Sequence, residues 1–343
     1  MARTKIPLTL EAALPAGQKP TLKTIAQMSG LAVPTVSRAL NDAPDIGRDT
    51  KILVRKIADE IGYVPNRAGV RLRTGRTNVV SLIMSTEHDN HTAHLISSVA
   101  GGLQGTRYHL NVTPYFPQDD FMKPVRYIVE TGSADAVILN QIEPNDERVA
   151  YLMEKKFPFA THGRSNWADA HPYYDFDNHS YGALSMDALH ARGRRRVAVV
   201  APPIVQSYAQ HFIAGLQESA QKNGIHVHVI SDATSDCDIP IIVNAVKAAL
   251  EDDPTLDGIA VASTNAALGA ISALEQRDLT LGHEIDVVAK EAETLLKLFR
   301  PDIVSVSEAV GSAGDFLAKA AVHAIQNPTA PPMQYLEVPT TRF

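Results

Sequence analysis

Residues 21–42, TLKTIAQMSGLAVPTVSRALND, decide how the rest of the chain is read. Thr21 can cap a helix whose apolar positions Leu22, Ile25, Ala26 and Met28 recur every three to four residues, the spacing of one helix face. Gly30 then stops it. A second helix is expected over Val33–Leu40, with Val33, Val36, Ala39 and Leu40 turned inward and Pro34 in the first turn, where its missing N–H removes no helical hydrogen bond. That commitment leaves Thr35, Ser37 and Arg38 on the polar side, ending on Asn41 and Asp42. A third helix is expected from Arg48 to Ile61, burying Ile52, Leu53, Ile57 and Ile61 before Gly62. Helix, glycine turn and short helix form the helix-turn-helix arrangement, whose second helix lies in the major groove of double-stranded DNA. Arg38 can then make a bidentate contact to guanine, while Val33 or Pro34 can sense only shape or a thymine methyl. The same hairpin spacing also occurs in proteins that never touch DNA.

Charge is sorted along the chain. Of 32 Lys+Arg, 13 fall within residues 1–76 together with 6 of the 38 Asp+Glu, so the remainder holds 19 bases against 32 acids. A basic head on an acidic body suits a head that meets a polyanion and a body that avoids it, although a solvated basic surface would have the same composition. With 343 residues and 45% hydrophobic content the chain exceeds one small core. Its single cysteine, Cys237, allows neither an internal disulfide nor a thiolate metal cluster and fits a reducing cytoplasm. Residues 1–20 read as a disordered extension, because Pro7 and Glu11 interrupt the apolar stretch a secretory signal would need. No run approaches the roughly 18–20 apolar residues of a membrane span, so no membrane partner is expected.

Beyond Tyr63, the window 67–76 carries Arg67, Arg71, Arg73 and Arg76 and is punctuated by Gly69 and Gly75, a basic linker able to become helical on a polyanion. From Val79 onward, strand-like runs at 79–84, 136–139, 197–202, 227–230, 258–263, 285–289 and 303–306 alternate with helical stretches near 93–104, 181–192, 208–223, 241–251, 265–277 and 311–326. Such alternation implies parallel sheets with right-handed crossovers. No Gly-x-Gly-x-x-Gly or Walker loop follows the first strand, which argues against a nucleotide, and no cofactor is expected.

The segments TLKTIAQMSGLAVPTVSRALND and IGYVPNRAGVRLRTGRTNVVSLIM resemble the head and hinge of the lactose-repressor-like (LacI/GalR) regulators, and FDNHSYGALSMDALHARGRRRVAVVAPP resembles the middle of their body. The resemblance runs in order from about residue 21 to the C-terminus. It implies a small all-α helix-turn-helix head and an α/β, two-lobed, periplasmic-binding-protein-like body with parallel sheets. The implied domains are a head at 21–65, a hinge at 66–77 and a body at 78–343, with lobes of roughly 78–177 plus 307–324 and 178–306 plus 325–343. Carried over by position, the DNA-facing residues are Thr21, Thr24, Val33, Pro34, Thr35, Ser37, Arg38, Asn41, Asn66, Arg71, Leu72 and Arg73, with Leu72 as the minor-groove wedge. Ala32 departs from a usual Ser cap, which costs roughly 0.5–2 kcal/mol, and Gly69 replaces a hinge alanine at about 1 kcal/mol less helix preference.

The same resemblance puts His91, Thr92, Arg164, Asp177, Gln206, Tyr208, Thr264 and Glu291 at the effector. Gln206 stands where the family often has an arginine, which makes a neutral sugar or polyol more fitting than an acid, with Arg164 as the residue that could compensate. The implied function is a repressor whose affinity for operator DNA is switched by a small molecule, acting as a homodimer or tetramer. The other reading is an α/β binding protein or enzyme with an accessory DNA-binding head. Against it, Ser37 has no His and acid at motif spacing, and His88, His91 and His94 repeat at spacing three without a Cys, Asp or Glu to complete a set, so neither catalysis nor a metal is expected. Arg192, Arg194, Arg195 and Arg196 read as a solvated turn before a strand, and Trp167 could stack on a sugar ring or merely pack.

Overall fold

Thr21 opens the first helix by the reciprocal hydrogen bonding of a capping box: it accepts from the backbone N–H of Thr24, and the Thr24 hydroxyl accepts from the Thr21 N–H. The computed structural model describes residues 19–64, 75–85, 90–116, 118–292 and 295–339, and divides into two units after Thr77. In the first unit, α1 (Leu22–Ser29) ends at Gly30, whose φ of 69° is the left-handed conformation that glycine adopts without a Cβ penalty. α2 (Val33–Leu40) follows Ala32, which supplies no side-chain cap, and α3 (Arg48–Glu60) completes the bundle. Ile25, Ala26, Val36, Ala39, Val54, Ile57, Ala58 and Ile61 form its core, with Leu22, Val33 and Leu40 packed against it. The expected burial of Ile52 and Leu53 is corrected: they are 55% and 44% exposed. The stripe of α3 that meets the core is Val54, Ile57, Ala58 and Ile61, which rotates the preceding two residues outward.

The second unit holds two all-parallel sheets. Strands β1 (Val79–Ser85), β2 (His109–Tyr115), β3 (Ala136–Leu139), β4 (Phe159–His162), β5 (Tyr173–Phe176) and β11 (Gln334–Glu337) form one, in the order β11-β5-β4-β3-β1-β2. Strands β6 (Arg196–Val200), β7 (His226–Val229), β8 (Gly258–Val261), β9 (Asp286–Glu291) and β10 (Val304–Ser307) form the other, in the order β10-β9-β8-β6-β7. One face of the first sheet packs on α4 (Asn90–Gly102) and α12 (Val310–Gln326). Its other face meets α5 (Met122–Thr131) and α6 (Glu147–Glu154). The second sheet lies between α9 (Ile239–Asp252) with α10 (Thr264–Glu275) and α7 (Asn178–Ala191) with α8 (Ser207–Asn223); the short α11 (Leu296–Phe299) precedes β10. Burial on both faces is why β1, β3, β6 and β8 read as mostly apolar runs rather than alternating ones.

Helices α7 and α8 cross so closely that a Cβ on Gly215 would lie 1.9 Å from the His179 carbonyl oxygen, which explains glycine there. The chain passes from the first sheet to the second between β5 and α7, and returns between β10 and α12. One expected boundary is corrected: the segment 325–343 was placed with the second lobe, yet β11 pairs with β5 in the first sheet, registering Gln334 on Tyr173 and Glu337 on Phe176. Tyr335 stacks on Tyr174 with ring centroids 5.2 Å apart, and the Tyr174 hydroxyl donates to Glu337 at 2.8 Å. Strands β2, β4, β5 and β11 are absent from the expected set because β2 and β11 are exposed edges rich in polar residues, and β4 and β5 mix His, Thr, Asp and Tyr into four-residue runs.

Candidate DNA-reading face and effector cleft

On α2 the two fully buried side chains, Val36 and Ala39, fix the rotation of the helix and turn Pro34 and Arg38 to solvent, with Val33, Thr35 and Ser37 half-buried beside them. Arg38 is held by Asp45 at 2.6 Å with the two side chains 57% and 46% exposed, a pair whose worth in water is about 0–1 kcal/mol. A phosphate or a guanine edge can therefore replace Asp45 at small cost. Asn41 is the C-cap, and its Nδ2 donates to the Ser37 carbonyl. Thr21 is exposed at the start of α1, but Thr24 is buried with its hydroxyl committed to Thr21, so its position serves the cap and not direct contact. Asn66, Arg71, Leu72 and Arg73 lie outside the described residues.

In the body, the carboxyl ends of both sheets face a cavity of about 180 Å³, the position at which open α/β sheets hold ligands. Asn140 and Gln141 reach it from the end of β3, His162 from β4, Asp175 and Phe176 from β5, Lys290 and Glu291 from β9, and Glu308 from just past β10. Helix starts supply His91, Thr92, Asn178, Tyr208, Thr264 and Asn265. Glu308 is the electrostatic centre. Burial alone would raise its carboxyl, but Lys290, with His91 and His162, holds it well below the usual carboxylate range. Lys290 Nζ lies 2.9 Å from Glu308 Oε2, donates to Asn178 Oδ1 at 3.2 Å, and sits over the rings of Phe176 and Tyr208 at 5.1 and 5.6 Å. His91 and His162 stack with centroids 5.3 Å apart, and burial pushes His162 down to about 4. Tyr208 shares its hydroxyl between the two oxygens of Asp236 at 3.4 Å.

Of the residues expected at the effector, His91, Thr92, Tyr208, Thr264 and Glu291 are on this wall, and Arg164, Asp177 and Gln206 are not. Arg164 donates through Nε to Asp175 at 2.6 Å. Burial nevertheless pushes Asp175 up to about 6 against the pull of that arginine. Asp177 caps α7 by accepting from the Ser180 N–H and hydroxyl, and Gln206 is the buried N-cap residue of α8. Glu291 is itself buried, with Oε2 accepting the N–H groups of Leu295 and Leu296. Sequence reasoning missed Asn140, His162, Asp175, Asn178, Asp236, Lys290 and Glu308. The signal was their place just at or beyond strand ends, readable only where the strand itself is recognised.

The other singled-out residues are absorbed structurally. Arg192 and Arg194 both pair with the buried Asp286, at 2.9 and 2.6 Å, and Arg196 pairs with Asp253. Trp167 is off the cavity wall, and its N–H donates to Ser165 Oγ. His88 lies outside the described residues, and His94 is set against Gly311 of α12. No helix among the described residues is long and apolar enough to cross a membrane.

Residues 21–66 match the family model of bacterial regulatory proteins, lacI family, and residues 186–343 match that of the periplasmic binding protein-like domain. The chain is 27% identical to the HTH-type transcriptional regulator AglR of Rhizobium meliloti (strain 1021), covering 92% of this chain and 90% of that protein. It is 24% identical to the HTH-type transcriptional regulator CelR of Thermobifida fusca, over 92% and 95%. In fold it is similar to the Lac repressor dimer bound to operator and the anti-inducer ONPF, with TM-score 0.82, 17% identity and coverage of 94% and 97%. A CelR–cellobiose complex is similar with TM-score 0.69, 23% identity and coverage of 95% and 99%. An accessory head on an enzyme is thereby set aside: the chain is a DNA-binding transcriptional regulator of the lacI family.

Proposed function

We propose that the cleft takes a neutral, hydroxyl-rich carbohydrate and that its binding changes the affinity of the head for operator DNA, making the chain a sugar-responsive repressor. The observation that carries the ligand class is the state of Lys290. It is the only lysine or arginine among the described cavity residues, and Glu308 holds it at 2.9 Å. An anionic ligand would have to take Lys290 from a buried carboxylate and sit beside Asp175, Asp236 and Asp238. A sugar meets no such penalty, because the amides, hydroxyls and carboxylates of the wall offer acceptors and donors to its hydroxyls, with Phe176 and Tyr208 as apolar surfaces. The cellobiose named with CelR supports the same class.

In this reading residues 21–65 bind the operator, 66–77 form the hinge and 78–343 sense the ligand in the cytoplasm. Pro34, Arg38 and the half-buried Val33, Thr35 and Ser37 form the base-reading face. Exposed Leu298 and Phe299, with Ile241 and Leu268, offer apolar surface for a homodimer. A thermal-shift screen of the full chain tests the ligand class, with cellobiose, other neutral sugars and polyols in one arm and sugar acids and sugar phosphates in the other. A ligand of the native state alone contributes about 2.7 kcal/mol at a concentration one hundred times its Kd. Stabilisation by members of the neutral arm is expected. Stabilisation by the anionic arm alone would overturn the assignment.

A further inference from the structure

We propose that His91, His162 and Glu308 bind one divalent cation of the zinc class in the cleft wall, with a fourth coordination position turned toward the cavity. The three ligand atoms come from the start of α4, the end of β4 and the residue after β10, and the topology brings them within 4.8 Å of one another. His91 Nε2 and His162 Nε2 stand 3.5 and 3.6 Å from the same Glu308 oxygen, Oε1. Those separations exceed an ordinary hydrogen bond. They match the spacing of ligands around a tetrahedral cation, which at bond lengths of about 2.0–2.1 Å stand about 3.3–3.4 Å apart.

His162 Nδ1 lies 3.2 Å from Asn140 Oδ1, a contact that orients the ring with Nε2 toward the carboxylate. The carboxylate is already oriented, because Lys290 anchors its other oxygen at 2.9 Å. Lys290 also places a like charge near the cation, which argues for moderate affinity. Two imidazoles and one carboxylate select zinc, cobalt, nickel or copper over magnesium and calcium. His91, His88 and His94 did not suggest this site in the sequence, because its other two ligands lie in distant segments.

A cation here would add positive charge to the same cleft, and its open position can take a sugar hydroxyl as well as an anion; the test of the site uses no sugar. Full-length protein stripped with a chelator is titrated with zinc chloride by calorimetry, with magnesium chloride as the hard-ion control. One equivalent of zinc is expected to bind. His91→Gln, at a partly exposed position, and His162→Ala should each weaken binding by at least about 10–100-fold. The exposed pair His226→Ala/His228→Ala should leave it unchanged. Cobalt should give the visible band of a four-coordinate site, and thiocyanate should shift that band if one position is open. Absence of zinc binding, equal binding of magnesium, or indifference to both His91→Gln and His162→Ala overturns the site. A cobalt band that thiocyanate does not move overturns the open position.

Discussion

The head keeps the charged side chain of its second helix in water, whereas the body buries and pairs the charged groups of its cavity. Arg38 is more than half exposed and Asp45 holds it by a surface ion pair, while Glu308, His162, Asp175 and Glu291 are nearly or fully enclosed and already bonded to neighbours. The difference fits the partners proposed above. A polyanion offers strong charge at its surface, so an arginine loses little by waiting in solvent. A neutral small molecule offers only hydroxyls, and discriminating among them requires donors and acceptors fixed in advance, since a misplaced one costs as much as a good one contributes.

If the body depends on buried pairing, breaking a buried pair should show it most. Arg148 and Asp146 are 1% and 0% exposed, and Arg148 also donates to the Gln141 carbonyl at the cavity edge. Arg148→Met leaves Asp146 uncompensated and should cost about 3–5 kcal/mol of body stability in urea denaturation, with the head transition unmoved. Asp175 sharpens the contrast through pH. Its folded pKa of about 6 lies above the unfolded value of 3.8, so the folded state binds its proton more tightly. Its contribution is therefore fully present below pH 3.8 and lost as pH rises through about 6. Relative to Asp175→Asn, the wild type should gain about 2 kcal/mol on going from pH 7 to pH 4, read from urea midpoints.

The head should respond more weakly in stability and more strongly in DNA selection. Arg38→Ala should cost about 1–3 kcal/mol on the selected operator and less on scrambled duplex, measured by gel-shift titration. Equal losses on both DNAs would assign Arg38 to phosphate. Thr21→Ala removes one half of the capping box and should lower the head transition by about 1 kcal/mol, followed by far-ultraviolet circular dichroism.

The head was legible because its information is contiguous: Thr21, the period of three to four, Gly30 and Pro34 all fall within one window. Its miss at Ile52 and Leu53 arose because two overlapping apolar stripes exist on α3, and only packing chooses Val54, Ile57, Ala58 and Ile61. The cleft was half legible. His91, Thr92, Tyr208, Thr264 and Glu291 follow strands or open helices that the pattern reveals, whereas His162 and Asp175 sit on four-residue strands too polar to be recognised. Arg164, put at the effector by the resemblance, is paired with Asp175, eleven residues away across a strand pairing that no local pattern encodes. The placement of β11 was likewise invisible, since a short exposed edge carries no apolar signature.

The central claim is that a small molecule in the body changes what the head does on DNA. Fluorescence-anisotropy titration of the full chain on an operator selected from random duplexes, with and without the saturating neutral sugar found by the stability screen, tests it most directly. The sugar should change operator affinity by about 5–150-fold in the wild type and by less at the same sugar concentration in Tyr208→Ala, whose cleft keeps only the Phe176 wall. Equal operator affinity with and without bound sugar would contradict the account.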